Sequence, residues 1–108
     1  MTPHKTFNRL DVRRVREAFD FTSEQMGAFC WVHPASVRRW EEGAHKMDTW
    51  ASTVYEMLAW LLARTQARSV WLAGDRARNA SEFMLILCRM RAKIEDEGSS
   101  EEKGETSA

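Results

Sequence analysis

The stretch Thr22–Gly43, TSEQMGAFCWVHPASVRRWEEG, decides how this chain folds. Thr22 is a strong N-cap residue and Gln25 stands three places on, the spacing of a capping box. Phe21 and Met26 flank that cap as a hydrophobic staple, so the start of one helix is marked twice. The device then recurs. Pro34 suits a first helical position, where its missing N–H costs nothing. His33 occupies the cap site before it, and Val32 and Val37 bracket it as a second staple. Gly43 fits the left-handed residue that closes a helix. The stretch therefore predicts two short helices joined by a tight turn, the second one carrying Arg38 and Arg39 outward.

With Thr22, Met26, Gly27, Val32, His33, Val37, Trp40, Glu41 and Gly43 in these places without insertion, the pattern resembles the helix-turn-helix of the Cro/repressor-type (XRE-like) DNA-binding family. The likeness reaches upstream to Val12, Val15, Arg16 and Glu17 and downstream to about Leu58. It implies an all-α bundle of four to five helices, here with an additional C-terminal helical segment, and double-stranded DNA as the partner. It also implies an ion pair between Arg16 and Glu41 that ties the first helix to the recognition helix. Two places depart from the family. Trp31 stands where glycine is usual in the turn, so either the turn takes another conformation or Trp31 is placed for a purpose. Ser23 replaces a glutamine that commonly touches a phosphate, which makes that contact shorter or absent.

Working outward, residues 1–9 are polar and are expected to be a flexible N-terminus. Asn8 or Asp11 can cap a first helix running to Phe19, with Val12, Val15 and Phe19 turned inward. Gly27 stands where two helices must approach closely, a place that justifies losing about 1 kcal/mol of helix propensity. Asp48 or Thr49 caps a fourth helix whose stripe is Trp50, Val54, Met57, Leu58 and Leu61. Residues 10–62 thus form the predicted DNA-binding domain. Beyond them Ser69–Ala73 reads as helix or brief strand, ended by Gly74-Asp75. Asn79 or Ser81 caps a last helix with Phe83, Ile86, Leu87, Met90 and Ile94 on one stripe, broadened by Met84 and Leu85. Four helices already supply a core, so this surplus predicts a partner surface over residues 63–94. Residues 95–108 are acidic, poor in apolar residues and expected to be a disordered tail.

Composition sets the bounds. The 108 residues allow one modest core, and 44% hydrophobic with 30% charged residues is ordinary for a globular protein. No apolar run is long enough for a membrane span, and the N-terminus has no signal-peptide core, so cytoplasmic residence is expected. The formal charge of zero hides an asymmetry: residues 1–94 hold fifteen basic against ten acidic residues, about +5, and the tail is acidic. Cys30 and Cys88 lie in apolar helical stretches without CxxC spacing and are expected to be core residues. His4, His33 and His45 make no ligand spacing with them, and neither metal nor cofactor is expected. No nucleophile–base pair, carboxylate pair or phosphate loop suggests an enzyme.

On a helix starting at Pro34, Ala35, Ser36, Arg38 and Arg39 lie on or near the outward face and are the candidate base contacts. Arginine to guanine O6/N7 is the commonest specific contact in the major groove. Lys46, Arg13 and Ser23 are the candidate phosphate contacts. One short helix reads few base pairs, so a homodimer reading a palindromic operator as a repressor or autorepressor is expected, with Trp71, Phe83, Leu87 and Met90 as its interface. The competing expectation, implied by the resemblance, is an antitoxin whose C-terminal segment binds a partner toxin and whose helix-turn-helix regulates its own operon.

Overall fold

The computed structural model describes residues 9–43 and 46–107, and over these it is all-helical. The helices are α1 (Arg9–Ala18), α2 (Ser23–Cys30), α3 (Pro34–Glu41), α4 (Thr49–Leu62), α5 (Ala67–Arg76) and α6 (Ala80–Ser107), with no strand among the described residues. Local hydrogen bonding explains most of the boundaries. Thr22 Oγ1 accepts from the Gln25 amide at 3.1 Å, and Gln25 Oε1 accepts from the Thr22 amide at 2.8 Å, completing the capping box of α2. His33 Nδ1 accepts from the Ala35 amide at 3.0 Å and so caps α3. Asp48 Oδ1 caps α4 through the Ala51 amide at 2.8 Å, and Asn79 Oδ1 caps α6 through the Glu82 amide at 2.9 Å. Gly43 ends α3 at φ 78°. Asn8, His4 and His45, and residues 1–8 of the loose segment expected over 1–9, lie outside the described residues; Arg9 instead opens α1, and Asp11 sits inside that helix rather than at its cap.

One core runs through the whole bundle. Val12, Val15 and Phe19 of α1 meet Met26 of α2, Val37 of α3, and Val54, Leu58 and Leu61 of α4, joined by Val70 of α5 and by Phe83 and Leu87 of α6. Its aromatic centre is Phe29 stacked on Phe83 with centroids 3.8 Å apart, and Phe21 edge-on to both at 5.1 and 6.0 Å. Tyr55 is wholly buried in the same cluster, and burial pushes its phenol above the ordinary range.

Four sequence expectations are corrected here. Phe83 and Leu87 are 0% exposed, so they cannot form a dimer interface; they fill the face that α2 and α4 leave open. The periodic stripe shows that α6 buries a face, but periodicity does not say against what. Cys88 is exposed, and only Cys30 is a core residue. Five residues after Phe83 is about 140° around the helix, which carries Cys88 off the buried face. Ser69–Ala73 is helical, and Gly74 lies within α5 rather than ending it. A Cβ at Gly74 would come within 2.8 Å of Phe21 Cε1 and 3.0 Å of Phe29 Cζ, so glycine there serves close approach. Lastly, α6 continues to Ser107, where a disordered tail was expected from residue 95. Propagating a helix that is already packed needs no further apolar residues, and glutamate and lysine are good helix formers.

Candidate functional site

α3 is an eight-residue helix with opposed faces. Val37 and Trp40 are buried, Trp40 lying edge-on to Tyr55 at 6.3 Å, while Arg38 and Arg39 are exposed and Ala35 and Ser36 half-buried. Among the described residues no carboxylate pairs with Arg38 or Arg39, although Glu42 stands four residues beyond Arg38. A guanidinium without a partner keeps all its donors for something outside the chain. Ser36 and Arg39 line a pocket of about 260 Å³ together with Val32, Trp40, Lys46 and Asp48. The structure therefore brings Ser36, Arg39 and Lys46 to one place.

The helix is held rigidly from behind. Arg16 of α1 reaches Glu41 with two prongs: Nε donates to Oε1 in a short contact, and Nη2 donates to Oε2 at 3.2 Å. Its third donor, Nη1, meets the Phe21 carbonyl at 3.0 Å. The two side chains are only 17% and 12% exposed, and the hydrogen bond to Glu41 raises the Arg16 pKa against the opposing cost of burial. This is the pair that the resemblance implies, and it fixes α3 against α1.

The turn from α2 to α3 is tight for a stated reason. A Cβ at Gly27 would lie 2.8 Å from the Val32 carbonyl oxygen and 3.2 Å from Pro34 N, so the close approach is to the turn backbone. Trp31 keeps the left-handed conformation, φ 57° and ψ 42°, that glycine would occupy. The Val32 amide donates to Gly27 O at 2.9 Å and the Trp31 amide to Ala28 O at 3.4 Å, the closure that such a residue permits. For a side-chain-bearing residue this conformation costs about 1–2 kcal/mol. The indole stacks on Trp50 with centroids 4.8 Å apart and planes at 22°, yet stays 62% exposed. Trp50 is anchored in turn, its Nε1–H donating to Phe29 O at 2.9 Å.

The remaining candidates are scattered. Ser23 is half-buried at the first position of α2. Arg13 is exposed but pairs with Glu17 at 2.6 Å on the solvent face of α1, which holds its pKa up and that of Glu17 down. Such a surface pair is weak and exchangeable. Trp71 and Met90 are half-buried against the core. Trp60 of α4 carries Arg64 and Arg91 over its ring at 4.3 and 4.8 Å, a junction with α6 that sequence spacing did not reveal. Among the described residues no group of three His, Cys, Asp or Glu is placed to hold a metal ion, and no helix is long and apolar enough to cross a membrane. No protein-family model, curated protein or solved structure matches the chain.

Proposed function

We propose that this protein is a sequence-specific DNA-binding regulator of the Cro/repressor type, with α2 and α3 as its helix-turn-helix and α3 as the helix that enters the major groove. The observation that carries the reading is the outward face of α3: two arginines without acid partners, beside Ser36 and Lys46, on a helix clamped to α1 through Arg16 and Glu41. That combination suits base readout, because a guanidinium discriminates guanine only when its helix is held at a fixed angle. The excess of basic residues before the tail favours a polyanionic partner.

Two copies reading a palindrome would give the selectivity that one short helix lacks. With Phe83 and Leu87 in the core, a symmetric contact would draw on apolar side chains still at the surface: Leu72 and Leu85, 40% and 50% exposed, beside the half-buried Trp71 and Met90.

The role of the face is tested by alanine replacement measured on preferred and random duplexes. Arg38→Ala or Arg39→Ala is expected to cost about 1–3 kcal/mol on the preferred site and to relax base choice there. Lys46→Ala is expected to weaken all duplexes alike and to reduce the salt slope by about one. Equal losses on both kinds of DNA for the arginine variants would refute base readout by α3.

A further inference from the structure

We propose that Trp31 is a second DNA contact, an aromatic clamp on the sugar–phosphate backbone at the mouth of the groove that α3 enters. The proposal rests on the DNA-binding reading above and adds a residue that the reading does not use. Three observations carry it. First, a bulky residue is held in a left-handed conformation that glycine would adopt without strain, φ 57° and ψ 42°. Second, the strain secures little burial: the indole is 62% exposed, with only one face stacked on Trp50 and Trp50 itself tethered to Phe29 O. The ring is thus presented rigidly and its outer face is open. Among the described residues nothing accepts from its Nε1–H, whereas the Trp50 Nε1–H is satisfied. Third, the position is right. Trp31 stands three residues before Pro34, at the N-terminal end of α3, and N-terminal residues of a recognition helix are those that contact base edges. The neighbouring Val32, and Asp48 two residues before Trp50, line the same pocket as Ser36, Arg39 and Lys46.

At the groove edge the accessible chemistry is deoxyribose and phosphate. An indole fits both, its face packing on the sugar and its N–H donating to a phosphate oxygen. Such a contact positions the protein without reading sequence.

The experiment compares Trp31→Gly, Trp31→Phe and Arg39→Ala by thermal melting and by anisotropy on a selected duplex and a scrambled one. Trp31→Gly is expected to melt close to the unsubstituted protein, because relief of the left-handed strain offsets the lost stacking on Trp50. It should nevertheless bind both duplexes at least tenfold more weakly. Trp31→Phe keeps a ring but loses the donor and should lose about tenfold, the size of one hydrogen bond to a charged group. Neither change should alter the salt slope, since no cation is removed. The clamp is overturned if Trp31→Gly binds as tightly as the unsubstituted protein while Arg39→Ala loses affinity, a result that leaves the role of α3 standing. It is also overturned if Trp31→Gly melts much lower, which would make the ring a structural brace. If the unsubstituted protein binds neither duplex, the DNA-binding reading fails and the clamp with it.

Discussion

Arg16 shows what one residue contributes when each of its three guanidinium nitrogens has a partner. Its guanidinium spans Glu41 with two nitrogens and the Phe21 carbonyl with the third, at a site where both charged partners are mostly buried. Removing either partner strands the other away from water. Arg16→Ala and Glu41→Ala are therefore each expected to destabilise the fold by about 3 kcal/mol, and the double variant by clearly less than the sum. Denaturant unfolding of the four proteins measures the coupling, and a coupling near zero would mean that the pair does not act as one. Lysine at position 16 should not rescue it, because a single ammonium cannot reproduce the fork. At this scale the sequence was legible wherever the chemistry is local: Thr22, Gln25, His33, Pro34 and Gly43 do what their spacing predicts. Trp31 was legible as an anomaly but not as a conformation, since a bulky residue at the turn is compatible with two backbone paths.

Among elements, α5 and α6 were the hardest to read, for a physical reason. Phe21 and Phe29 present an aromatic face that the first four helices do not cover, and no periodicity within 10–62 reveals the gap. Phe83 closes it by stacking on Phe29, and Gly74 lets α5 approach the same rings. Glycine has two uses, ending a helix or admitting a neighbour, and a dipeptide such as Gly74-Asp75 does not distinguish them. The close approach makes a prediction with a contested sign. Alanine in mid-helix gains about 1 kcal/mol over glycine by propensity, while overpacking a filled core costs about 1–3 kcal/mol. The Cβ distances of 2.8 and 3.0 Å to rings that are themselves boxed in decide for the cost. Gly74→Ala is expected to lower the unfolding free energy by about 1 kcal/mol, and a variant as stable as the original would show that the rings yield.

For the whole molecule, the single core means that the C-terminal helices belong to the fold and are not an appendage to it. Thiol chemistry checks this without any knowledge of function. Cys88 is exposed, whereas burial, with a smaller effect from Asp48, pushes the Cys30 thiol up to about 12. A thiol reagent at pH 8 should label one cysteine per native chain and two after unfolding; two labelled in the native protein would contradict the packing. The same burial sets a pH dependence. In the unfolded chain Cys30 ionises near 8.5, so its contribution to stability is fully present below that value and is lost between about 8.5 and about 12. Replacing the core stripe with charge, as in Phe83→Asp, should unfold the protein rather than yield a folded monomer.

The central claim, that α3 reads duplex DNA, is tested most directly by selecting bound sequences from a random duplex library with the intact protein. The expected result is a short enriched motif containing guanine, repeated about its inverse with half-sites roughly one turn, about 34 Å, or a multiple of it apart. The guanine preference should disappear when the selection is repeated with Arg39→Ala or Arg38→Ala. Absence of any enriched motif in the selection with the unsubstituted protein, at salt low enough to favour phosphate contacts, would contradict the account.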